Sequence, residues 1–176
     1  FLSINQLVVR GEPAATVANI IEADGLLRGG LASFMAVFVL DVIAAWALFI
    51  VFRPGNRDVS LLAAWFRIVG ATLLGASLVF LYLTSQLLGS AEYAALTPTV
   101  RDTQAMLFLT GFDFLWLTGL VCFGVHLIGL GYLIVRSTLA PKVLGMLLAL
   151  AGTAYIVDTF AHALLSSYDS YRTVFL

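Results

Sequence analysis

Four long apolar stretches, separated by short polar breaks, set the pattern of this chain. The first, from Gly29 to Phe52, has Asp41 as its only charge and stops at Arg53-Pro54-Gly55. Proline cannot continue a helix, and glycine permits the turn that follows. Asp58 offers a side-chain oxygen to cap a helix starting at Val59, and this second run reaches Leu88 with Arg67 as its only charge. The segment from Gly89 to Asp102 holds Glu92, Pro98 and Arg101, which returns the chain to water, with Asp102 placed to cap the next helix. The third run, Thr103 to Val135, carries Asp113 and His126; the fourth, Val143 to Leu165, carries Asp158 and His162. Each is long and apolar enough to cross a hydrocarbon core of ~30 Å. As one helix the third would measure about 50 Å, so its first two turns are expected to protrude or tilt.

The ends are more polar. In residues 1–28, Glu12-Pro13 reads as an acidic cap with proline at a first helical position, and Val17, Ile20 and Ile21 fall on one side of a short helix. Such a helix fits the membrane interface and fits a soluble loop equally well. The tail 166–176 is polar before Thr173 and leads towards a possible further span. Phe1-Leu2-Ser3-Ile4 resembles the end of an earlier apolar span, which suggests a fragment of a longer protein.

Composition narrows the class. The 176 residues are 61% hydrophobic and 11% charged, with a mean hydropathy of +1.03, values that exclude a soluble domain. The expected fold is an all-α polytopic transmembrane helical bundle with four complete spans, about 29–52, 59–88, 103–135 and 143–165. A net charge of −1 leaves no basic footprint for nucleic acid. The single cysteine, Cys122, lies inside an apolar run, which leaves no disulfide framework and reads as packing. The short turns 53–58 and 136–142 hold Arg53, Arg57, Arg136 and Lys142, and Arg67 lies close by. The opposite side holds Arg10, Arg28, Arg101 and Arg172, so the basic count is tied until Arg67 is added, and the compact clustering near the span ends favours cytoplasmic turns. Small residues, among them Gly70, Ala71, Gly75, Gly119, Gly124, Gly129, Gly131, Gly145, Ala149 and Gly152, recur where helices can approach closely.

Several stretches resemble a known family. Gly124-Val-His-Leu-Ile-Gly-Leu-Gly-Tyr-Leu-Ile-Val-Arg136-Ser137, Ala140-Pro141-Lys142-Val-Leu-Gly145 and Ala151-Gly-Thr-Ala-Tyr155-Ile-Val-Asp158 are similar to the bacterial multi-pass membrane family called domain of unknown function 4386. Ala15-Thr16 with Asn19-Ile20, and Leu62-Ala-Ala-Trp-Phe-Arg67, are similar to it too. The resemblance implies six helices in the full-length protein and a place in a bacterial inner membrane, and it supplies no reaction. The family pattern often has a histidine where this chain has Phe112 and an acidic residue where it has Ala71, so the resemblance does not carry over an activity needing those groups.

Charges inside a bilayer cost at least ~2.5–3.5 kcal/mol each, so these residues are expected to face inward and find partners. Counting ~1.5 Å per residue from the turns puts Arg67 about 10 Å in and Asp41 about 17 Å in, on consecutive helices. A buried Asp41–Arg67 ion pair is predicted, as structural glue rather than as a reactive site. Asp158, His162 and Asp113 fall at about 24, 30 and 35 Å. Asp158 and His162 share a helical face with Tyr155. This second cluster could hold a ligand, relay a proton or tie helices together. Asp113, Asp158 and His162 are also the weak candidates for a metal, in the absence of any zinc-binding motif. His126 reads as a neutral, hydrogen-bonded packing residue, and Ser33, Ser77 and Ser85 as hydroxyls bonded to backbone.

No catalytic constellation stands out, and cofactors are not specified. The reading favoured is a non-enzymatic membrane protein that binds a lipid or a partner membrane subunit, including a second copy of itself. The alternatives are a small proton-coupled transporter using Asp41, Asp113 and Asp158, and an intramembrane metal-dependent hydrolase using Asp113, Asp158 and His162.

Overall fold

The computed structural model describes residues 8–9 and 12–164. Among these the chain is all-α. It contains α1 (Pro13–Glu22), α2 (Asp24–Phe52), α3 (Arg57–Gly89), a single 3-10 turn at Ala91–Tyr93, α4 (Pro98–Arg136) and α5 (Lys142–Leu164). Helices α2 to α5 have 29, 33, 39 and 23 residues, and all four are long and apolar enough to cross a membrane.

Helix boundaries depart from the sequence reading where local hydrogen bonding overrides composition. Asn56, not Asp58, caps α3: its Oδ1 accepts the Val59 N–H at 3.1 Å, and the helix begins two residues before Val59. Helix α4 starts at Pro98 instead of Thr103, since proline's fixed φ suits a first helical position and the Thr97 carbonyl accepts the Arg101 N–H at 3.1 Å. Asp102 is therefore inside the helix beside Arg101, 3.8 Å away, and caps nothing. Glu12 precedes α1 without a side-chain cap, its carbonyl accepting from Thr16 N–H at 3.1 Å. Helix α2 begins at Asp24 rather than Gly29, because only Ala23 interrupts the helical run and Asp24 pairs with Arg28 one turn on, at 2.7 Å. Leu165 and the tail 166–176 lie outside the described residues, as does Phe1-Leu2-Ser3-Ile4.

The helices divide into two compact units, each built on its own core. The first comprises 8–38 and 74–116. Ile20, Leu27 and Phe34 recur every seven residues along α1 and α2 and meet Leu74, Leu78 and Leu81 of α3 and Leu109 and Phe112 of α4. Phe34 stands edge-on to Trp116 at 5.4 Å between centroids, and Phe112 packs on both. Helix α1 joins this core through Ile20 and packs Val17 against Leu87 and Ala105, whereas Ile21, read as part of the same face, points outward. Thr16 is also buried, and its hydroxyl both accepts from the Val9 N–H at 2.8 Å and donates to the Val9 carbonyl at 3.0 Å.

The second unit comprises 39–73 and 117–164. Phe52, Leu130, Leu133 and Ile134 form its apolar cluster, and Ser60 donates to the Phe49 carbonyl at 3.1 Å, tying α2 to α3 beside their turn. Helices α4 and α5 run antiparallel along a seam of small residues. A methyl group added at Gly131 would lie 2.5 Å from the Gly145 carbonyl oxygen, and one at Gly124 would lie 2.6 Å from that of Gly152. One further heptad along, the Thr159 hydroxyl reaches the Leu117 carbonyl at 3.3 Å. Backbone contact of this kind replaces the hydrophobic drive that lipid removes.

Candidate functional site

The polar centre of the second unit is assembled from three helices. Arg67 lies ten residues into α3, Asp41 eleven residues before the end of α2, and His126 ten before the end of α4. At ~1.5 Å per residue, all three stand about 15–17 Å from the neighbouring helix ends, so they meet at one level. The Arg67 guanidinium pairs with the Asp41 carboxylate through Nη2 and Oδ1, and its Nε–H points at the Asp41 carbonyl, 3.4 Å away. Its Nη1 lies 3.1 Å from His126 Nε2. His126 Nδ1 lies 2.9 Å from the carbonyl of Ala63, which is one helical turn before Arg67. The imidazole thus spans a single turn of α3, touching backbone at one end and the arginine at the other.

Close helix approach makes this reach possible. Gly129 of α4 faces Ala63, whose Cβ would lie 3.1 Å from an added methyl group, and Gly70 of α3 faces the Gly119 carbonyl oxygen at the same distance. These two glycines bring α3 and α4 together on either side of His126, which is 1% exposed. Phe123, one turn from His126, packs against its ring at 5.6 Å between centroids and lies 5.3 Å beneath the Arg67 guanidinium carbon. Tyr155 of α5 contacts the same phenyl ring at 6.2 Å.

The structure therefore brings Asp41, Arg67 and His126 together, with Tyr155 at the margin through Phe123. Sequence reasoning read His126 as a hydrogen-bonded packing residue without placing it beside Arg67; the available signal was its equal distance from a helix end. Asp113 is exposed on α4 in the first unit; in the second, on α5, Asp158 is half-buried and His162 exposed. None of these three is without a partner. Among the described residues, no group of three or more His, Cys, Asp or Glu side chains could hold a metal ion. Phe112 and Ala71, the two departures from the family pattern, are both buried in packing. Cys122 is half-buried. Ser33 and Ser77 donate to the Gly29 and Leu74 carbonyls at 2.8 and 2.7 Å.

Comparison with known proteins bears on identity. An uncharacterized protein of Archaeoglobus fulgidus is 32% identical over 122 residues, covering 69% of this chain and 60% of that protein. The chain thus spans about three-fifths of the length of this relative. Because the relative is archaeal, a bacterial source does not follow from the likeness. No solved structure matches the chain. The family described as "Domain of unknown function (DUF4386)" matches over residues 1–176, and the chain belongs to that family.

Proposed function

We propose that the protein is a non-enzymatic membrane protein whose outer helical faces engage a lipid or a partner membrane subunit, while the Asp41–Arg67–His126 cluster fixes the register of α2, α3 and α4. The observation that supports this reading is an asymmetry of burial. Only 11% of the apolar window is buried in α2 and in α5, against 39% in α3 and 44% in α4. Two membrane-length helices thus leave much of their apolar surface uncovered, with Leu40, Trp46, Leu150 and Phe160 among the exposed side chains. Within the cluster, the charges are spent on one another, as expected of a helix tie.

In this reading the turns 53–58 and 136–142 face the cytoplasm and the spans lie in the cytoplasmic membrane. The test is purification of the full chain in mild detergent, followed by mass spectrometry of retained lipids and proteins and by flux assays in proteoliposomes. The expected result is a stoichiometric lipid or membrane subunit that is lost when Leu150 and Phe160 are replaced by serine, with no flux above empty vesicles. Solute uptake driven by a proton gradient and abolished by Asp41→Asn would overturn the reading in favour of a transporter. A stoichiometric transition metal lost in the Asp158→Asn, His162→Ala double variant would overturn it in favour of the hydrolase.

A further inference from the structure

The hydrogen bonds around His126 fix where its proton sits. A backbone carbonyl only accepts, so the 2.9 Å contact with Ala63 requires a hydrogen on Nδ1. A guanidinium only donates, so the 3.1 Å contact with Arg67 requires a bare lone pair on Nε2. The ring is the neutral Nδ1–H tautomer, and one nitrogen remains able to take up a proton.

We propose that Nε2 of His126 is a proton-binding site and that its occupancy controls the Arg67–His126 hydrogen bond between α3 and α4. The ligand is a proton from the aqueous phase, and it adds to the lone pair that now accepts from Arg67 Nη1. Uptake turns that acceptor into a donor: the Arg67–His126 hydrogen bond is lost, and two cations then face each other. The other groups around the ring offset this only in part, the Asp41 carboxylate attracting the new charge and the Ala63 carbonyl still accepting from Nδ1–H. From α2, the Asp41 carboxylate is already engaged by Nη2 of Arg67. From α3 the ring meets the Arg67 guanidinium and the Ala63 carbonyl. From α5, Tyr155 is separated from it by the Phe123 ring, and on α4 itself Cys122 is one turn away. The Arg67–His126 bond therefore holds while Nε2 is bare and breaks as the pH falls through its titration, while Nδ1–H goes on donating to the Ala63 carbonyl. This goes beyond the proposed function, since it would hold whichever molecule covers the outer faces.

The chain has two histidines, which makes the site directly observable. Full-length protein labelled with nitrogen-15 histidine is studied in detergent by NMR from about pH 8 to about pH 5, a range spanning ordinary imidazole titration. His162→Gln leaves His126 as the single signal. The expected result is a hydrogen on Nδ1 and a bare Nε2 at the upper end, with Nε2 becoming protonated at the lower end. Over the same range the thermal unfolding midpoint of the wild type should fall by several degrees more than that of His126→Gln. The glutamine amide can donate to the Ala63 carbonyl and accept from Arg67 without titrating. An Nε2–H tautomer at pH 8, an Nε2 that stays bare to pH 5, or the same fall in His126→Gln would each overturn the proposal. If His126→Gln does not fold, the spectrum of His162→Gln, which keeps the native site, decides alone.

Discussion

Arg67 shows at the scale of one residue why a charge persists in an apolar helix. Its side chain is 16% exposed and that of Asp41 21%, so neither is hydrated well enough to stand alone. Arg67→Gln leaves a half-buried carboxylate without its counter-charge and His126 Nε2 without its arginine donor. The expected loss is about 3–5 kcal/mol, measured as the unfolding free energy in detergent. Replacing both partners with apolar residues, Asp41→Leu with Arg67→Met, should recover most of that loss, because no charge is then stranded. If the double variant is as damaged as the sum of the two singles, the pair is not coupled as its geometry requires.

Between elements, the fit of α4 against α5 depends on having no side chain at Gly124, Gly131, Gly145 and Gly152. A methyl group at Gly131 would meet the Gly145 carbonyl and the Ala149 backbone nitrogen, the latter at 3.0 Å, and neither can rotate away. Gly131→Ala is expected to destabilise the protein by about 1–3 kcal/mol, as overpacking does. Gly29→Ala, where nothing lies within 4 Å of the added methyl, should be neutral or stabilising by up to ~1 kcal/mol. Thermal midpoints of the two variants compare them directly. Helix α1 offers a second contrast, at its inner and outer faces. Ile20 is buried in the first core and Ile21 is half exposed. Ile20→Asp should abolish recovery of folded protein on size-exclusion chromatography, while Ile21→Asp should leave the elution profile intact.

For the whole molecule, four membrane-length helices joined by short breaks make a definite prediction about sidedness. In a Cys122→Ala background, Asn56→Cys and Ser137→Cys should both react with a membrane-impermeant maleimide applied to the cytoplasmic face, and Glu92→Cys should react from the opposite face. Labelling of Asn56→Cys and Ser137→Cys from different faces would remove the shared orientation of the two turns. That the described residues are all-α, with four helices long and apolar enough to span a membrane, was legible from the sequence, because a bilayer permits few ways of satisfying the backbone and a long apolar run is sufficient evidence of one. The composition of the polar centre was only partly legible. Helical rise set Asp41 and Arg67 at compatible depths, and the same arithmetic applied to His126, but depth alone does not state which face of a helix a side chain occupies. The rotation of α4 against α3, fixed where Gly129 meets Ala63 and Gly70 meets Gly119, turned His126 inward and gave Arg67 its second partner. Capping was similarly undetermined, since Asn56 and Asp58 are both able caps and only the path of the turn selects one. Local pattern and hydropathy thus determined which segments are helices and where they reside. Which residues meet depends on helix rotation and close backbone approach, quantities that arise only when the helices pack together.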